Sequence, residues 1–190
     1  MDHNHNKIPE VFLQTRSTTC GVACMMMIMN YFLGTPLSTA WEGKLRKKLK
    51  LHRYDLIPAI NLAYYMAQQG LEVNVRHQDS HKFWSRIRLF NEDIYLQLQA
   101  AHSRERKYNT KFGFGPISKK DIIDELRNGR LLIYGTFLSE NIKHALLVYK
   151  HEGDLFYLID PLIGRKTCTE DELIKVGDLD TGRWYIAVGT

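Results

Sequence analysis

The stretch Gln14 to Met29, Q-T-R-S-T-T-C-G-V-A-C-M-M-M-I-M, decides how the rest of the chain is read. A hydroxyl-rich polar run ends at Cys20-Gly21, and a nearly unbroken apolar segment then continues to Phe32. This pattern predicts a helix with a cysteine in its first turn, running to about Leu33 and stopped by Gly34 ahead of Pro36. A thiol in that place meets unpaired backbone N–H groups and the positive end of the helix dipole, both of which favour thiolate over thiol. Gln14, six residues earlier, carries a neutral amide with two N–H donors, so one turn can hold a nucleophile and an oxyanion donor. A single cysteine is a weak signal by itself, because free cysteines commonly serve as small core residues.

Weight comes from downstream. His144 opens the apolar run H-A-L-L-V-Y, and Asp160 closes the run L-F-Y-L-I-D before Pro161. Two adjacent strands would bring both groups together. The chain has eight histidines, but His52, His77, His81, His102 and His151 lie in polar or basic contexts expected at the surface. Asp160 has a plain alternative as a turn residue before proline.

Q-x-x-x-x-x-C-G-x-A-C at Gln14 to Cys24, H-A-L-L-V-Y at His144 and L-I-D-P at Asp160 resemble the bacteriocin-processing cysteine peptidases that cut after double-glycine leaders. Those proteins are papain-like, and the order Gln, Cys, His, Asp is similar here. The 124 residues between Cys20 and His144 are close to the spacing of roughly 130–150 in papain-type enzymes. The resemblance spans Gln14 to about Val188 and implies a thiol protease in which Cys20, His144, Asp160 and Gln14 are catalytic. It implies a peptide or protein substrate, with a small residue such as Gly before the cut. The family commonly has an acidic residue just before the cysteine, where this chain has Thr19. The best-known members are N-terminal domains of membrane exporters, so the expectation here is a stand-alone relative. A thioester intermediate also serves deamidases and acyl or peptidyl transferases, and a domain of this shape can act as an inactive peptide-binding module.

Composition fits this class. The chain has 190 residues, 44% of them hydrophobic and 25% charged, which suits one globular domain over 9–190 behind a flexible tail at 1–8. No apolar run reaches the length of about 20 residues needed to span a bilayer, and the N-terminus lacks the apolar core of a signal peptide. Three cysteines, an odd and small number, argue against a disulfide framework and suit a cytoplasmic location. Cys20 and Cys24 stand four apart, yet no C-x-x-C or nearby H-x-x-x-H completes a metal site. Met1-Asp2-His3 has the nitrogen pattern for adventitious Cu(II) or Ni(II) binding. The net charge of +5 is moderate, and no nucleic-acid motif accompanies it. No cofactor is required, since Gly113-Phe114-Gly115 is too short for a phosphate loop.

Along the chain, Thr39-x-x-Glu42 reads as a capping box, and Trp41, Leu45 and Leu49 recur on one helix face. The opposite face, Lys44 to Lys50, is a solvated surface or a docking face for an acidic segment of substrate. A helix is predicted over Leu56–Gln69, a strand around Leu71–Val75, and helices over 81–90 and 92–106, the last ending in a charged patch from His102 to Lys107. Tyr108 to Pro116 reads as a loop whose aromatics either pack or line a groove. A helix over Ser118–Asn128 precedes strands at Leu131–Phe137, His144–Lys150, Leu155–Asp160 and Trp184–Val188, with a short helix capped by Thr169-x-x-Glu172. Helices early and antiparallel strands late predict an α+β, papain-like fold, with the nucleophile on the helical half and a cleft between the halves.

Overall fold

The computed structural model describes residues 7–49, 59–79, 110–139, 142–175 and 183–190. The Met1-Asp2-His3 motif, the first turn of the third predicted helix, the helices expected over 81–90 and 92–106, and the patch at His102 to Lys107 lie outside these residues.

The apolar segment forms helix α1, Cys20–Leu33, ended by Gly34 in the left-handed conformation at φ 68° with its N–H on the Asn30 carbonyl. Every residue from Gly21 to Met29 is buried, so α1 is the hub of the molecule rather than an amphipathic surface helix. Four of these are Met, and each fully buried side chain of that size contributes about 1.5–3 kcal/mol. Helices α2, Thr39–Lys48, and α3, Ala59–Gln68, pack against it. The predicted face of α2 turns inward, with Leu45 and Leu49 buried and Trp41 packed beside them.

The remaining elements are β1 (Glu72–His77), β2 (Thr110–Phe114), α4 (Lys119–Arg127), β3 (Leu131–Ser139), β4 (Ile142–Glu152), β5 (Leu155–Asp160), β6 (Gly164–Thr169), α5 (Glu170–Lys175) and β7 (Trp184–Gly189). Among the described residues seven strands form one sheet in the order β2-β1-β7-β3-β4-β5-β6, antiparallel except for the parallel pair β1–β2. The period of two in the strands builds a core on each face. Leu131, Ile133, Leu147, Ile159 and Ile186 join α1, α2 and α3, while Leu132, Tyr134, Val148, Leu158 and Tyr185 meet Ile122 of α4 and Leu173 of α5. The expected α+β class stands, with the sheet enclosed between two helical layers.

Three local readings are corrected. Residues 110–114 are a strand, not a loop: main-chain pairing with β1 holds them, and Phe112 and Phe114 pack on the core. A Cβ at Gly113 would stand 2.6 Å from Arg76 Cδ, so the Arg76 side chain lies directly over this glycine and would have to shift to admit one. Gly164–Thr169, where the sequence predicts no strand, is the edge strand β6, whose side chains are half-solvated and leave no apolar pattern. The cap of α2 is Ser38, whose hydroxyl accepts from the Trp41 N–H at 3.2 Å; Glu42 lies inside the protein. Thr169-x-x-Glu172 does form a capping box, with Thr169 N donating to Glu172 Oε2 at 2.7 Å and Glu172 N to Thr169 Oγ1 at 3.3 Å.

Candidate active site

Chain entry positions the site first. Arg165 donates to the Pro9 carbonyl at 2.8 Å, and the Gln14 N–H donates to the Pro161 carbonyl at 2.8 Å. The segment leading to the nucleophile is thereby tied to the end of β5, next to Asp160. The turn from Arg16 to Thr19 then delivers the chain into α1, and the Thr19 side chain does not cap the helix. The first backbone N–H groups of α1 therefore lack a side-chain acceptor and can serve a negative charge at Cys20.

One helical turn beyond Cys20, Cys24 Sγ donates to the Ala145 carbonyl at 3.6 Å, which fixes the start of α1 beside the His144 end of β4. His144 is buried, and its Nε2 lies 2.7 Å from Asp160 Oδ1. The Cys20 side chain is close enough to the ring to raise the imidazole pKa. With Nε2 committed to Asp160, Nδ1 is the nitrogen left for sulfur. Burial alone would lower the His144 pKa, but the bond to Asp160 and the nearness of Cys20, with the negative charges of both, outweigh it, and the pKa is pushed up to about 9.

Burial likewise opposes ionisation of Asp160, and is overcome by the His144 bond, the Leu162 N–H at 2.9 Å and the Lys166 ammonium at 3.1 Å from Oδ2. Its pKa falls to about 2. Cys24 behaves oppositely: burial, then the neighbouring Cys20 and Asp160, push its thiol well above the usual range. The two cysteines four apart thus occupy different chemical environments.

Gln14 stands in the same turn. Its Nε2 donates to the Arg16 carbonyl at 2.7 Å, leaving a second N–H uncommitted, while its Oε1 is buried without a hydrogen-bond partner. The structure brings Cys20, His144 and Asp160 into contact in series and sets Gln14 on the loop that precedes Cys20.

Two residues here escaped the sequence reading. Lys166 sits on the unrecognised strand β6, where pairing with Leu158 puts it on the same strand face as Asp160. Glu42 was hidden by its cap-like spacing; the usable signal was a lone carboxylate on a helix whose other charges are basic. Among the described residues no group of three or more His, Cys, Asp or Glu could hold a metal ion, and no helix is long and apolar enough to cross a membrane.

An α+β fold with a helix-borne cysteine beside a strand-borne histidine is the arrangement that the papain-like resemblance implies. The Peptidase C39 family matches residues 9–102, the part that carries the Gln14 to Cys24 motif. The chain is similar in structure to a double glycine motif protease from an AMS/PCAT transporter, crystallised in complex with the leader peptide, at 16% identity and a TM-score of 0.55, covering 96% of this chain and 93% of that one. It is similar also to the peptidase domain of Streptococcus ComA, a bi-functional ABC transporter involved in a quorum sensing pathway, at 12% identity and a TM-score of 0.55, covering 96% and 98%. No curated protein matches in sequence. The family match and the shared fold agree with the resemblance to the bacteriocin-processing, double-glycine cysteine peptidases.

Proposed function

We propose that this chain is a cysteine endopeptidase that hydrolyses a peptide bond after a small residue such as Gly in a leader or precursor peptide. The observation that carries the reading is the series Cys20, His144, Asp160, in which a half-buried cysteine meets a buried histidine and carboxylate, with His144 held protonated up to about pH 9. Cys20 attacks the scissile carbonyl as thiolate, and the tetrahedral oxyanion is met by the Cys20 backbone N–H and the free N–H of Gln14. His144, as imidazolium, protonates the leaving amine, and a thioester remains on Cys20. Neutral His144 then takes a proton from water, whose hydroxide attacks the thioester, releasing the acid and restoring the pair. Asp160 keeps the imidazole oriented and charged without itself taking up the proton.

Exposed Leu13, Leu162 and Ile163 flank Gln14 and Asp160 in sequence and supply apolar surface beside the site for a bound peptide. We assign Lys44 and Lys47, exposed on α2, to an acidic segment of that peptide; raising salt should then increase KM with little change in kcat.

The test is acid-quench mass spectrometry with peptides carrying Gly-Gly before the cut. An acyl group on Cys20 that passes to water supports the peptidase. An acyl group passing to an added amine makes the protein a transferase, ammonia release from a glutamine side chain makes it a deamidase, and peptide binding without an acyl adduct makes it a binding module.

A further inference from the structure

Glu42 is a buried carboxylate on α2, 1% exposed, placed against the loop between Gln14 and Cys20. Its donors come from that loop. Thr15 N–H lies 3.2 Å from Oε1 and 3.3 Å from Oε2, Thr15 Oγ1 donates to Oε2, and Thr19 Oγ1 donates to Oε1 at 2.5 Å. Bonds from N–H and O–H to a carboxylate are charge-assisted and about twice as strong as neutral ones. Thr19 is itself fully buried, and its hydroxyl also lies 2.9 Å from the Arg16 carbonyl. That carbonyl accepts from Thr19 N–H at 3.2 Å and from Gln14 Nε2 at 2.7 Å. A continuous path therefore runs from Glu42 through Thr19 and the Arg16 carbonyl to the amide of Gln14.

We propose that Glu42 is a positioning residue for the oxyanion donor Gln14, bracing the turn before the nucleophile from the α2 side while Pro161 holds it from the sheet side. This rests on the reading of Gln14 as that donor. The Arg16 carbonyl dictates which end of the Gln14 amide is NH2, and Glu42 dictates where the Arg16 to Thr19 turn stands. Thr19, which precedes Cys20 in place of an acidic residue, is the link through which a carboxylate from another helix reaches this turn. A displacement near 1 Å at a positioned catalytic group costs up to about a hundredfold in rate. The Cys20–His144 pair has separate holds of its own: Cys24 Sγ donates to the Ala145 carbonyl at 3.6 Å and ties α1 to β4, and His144 is held by Asp160 at 2.7 Å.

This separation gives the test. Turnover of a fluorogenic Gly-Gly coumarin amide peptide is measured in the wild type, Glu42→Gln, Gln14→Ala and the double variant, with iodoacetamide alkylation of Cys20 against pH and a thermal melt for each. Alkylation forms no oxyanion, so it reports the thiol–imidazole pair alone. Glu42→Gln should lower kcat about tenfold or more with KM nearly constant and alkylation within about twofold of wild type. In the Gln14→Ala background it should cost less than about twofold, because the two residues act on one interaction. Thr15→Ala removes one hydroxyl contact at an exposed position and should lower kcat a few-fold, which decides the matter if Glu42→Gln fails to fold. Unchanged kcat, or equal losses in both backgrounds, overturns the proposal. A wild-type protein with neither turnover nor accelerated alkylation of Cys20 instead overturns the nucleophile reading beneath it.

Discussion

Asp160→Asn removes one charge from the buried pair while keeping its shape. Asn retains an oxygen for His144 Nε2 and the Leu162 N–H, but sets an NH2 group toward Lys166 in place of Oδ2. In the wild type His144 titrates at about 9 because Asp160 and Cys20 overcome its burial. Without the Asp160 charge, burial regains weight, and the His144 pKa should fall toward or below the reference of 6.5. Near pH 8 a group of pKa about 9 is about 91% protonated and one of pKa about 6.5 about 3%, roughly a thirtyfold loss of imidazolium. Turnover at that pH should fall at least as far. The assay is an NMR titration of the imidazoles, with His144 assigned by its loss in His144→Ala, beside the pH dependence of kcat/KM. The sign extends to stability. The folded pKa of His144 is raised, so its stabilisation is complete below about 6.5 and is lost as pH rises through about 9. The folded pKa of Asp160 is lowered, so its contribution is present above about 3.8 and lost as pH falls toward about 2. A wild-type His144 titrating at or below 6.5, or an Asp160→Asn protein with an unmoved titration, would refute this account of the pair.

Gln14→Ala should lower kcat about a hundredfold or more with a melting temperature close to wild type, since the backbone bond to Pro161 survives. Cys24, fully buried with a raised pKa, should be alkylated only on unfolding, and Cys168, whose thiol is also raised by burial, should react slowly; mass spectrometry of the native protein distinguishes both from Cys20. Gly135→Ala drives a Cβ to within 2.2 Å of Trp184 Cε2 between two paired strands and should cost about 1–3 kcal/mol in denaturant unfolding. Met26→Ala empties a fully buried site in α1 and should cost about 2–5 kcal/mol by the same measurement.

Much of the fold was legible in the chain. The apolar run after Cys20, the Gly34 stop, the inward face of Leu45 and Leu49, and the strands at 131–137, 144–150, 155–160 and 184–188 all follow from periodicity and turn chemistry, which are local properties. That His144 meets Asp160 was expected from adjacent strands and from the family resemblance, while the pattern alone left Asp160 open as a turn residue before Pro161. Other features are decided by contacts distant in sequence. Strand β6 has half-solvated side chains and exists because β5 offers it backbone partners; β2 exists because β1 does the same in parallel. Lys166 reaches Asp160 only once that register is set. The spacing of Thr39 and Glu42 suits a cap as well as the observed arrangement, and only the packing of α2 on α1 turns the carboxylate inward to Thr15 and Thr19. A residue's neighbours along the chain set its conformation, but a buried charge takes its role from whichever donors tertiary packing brings to it.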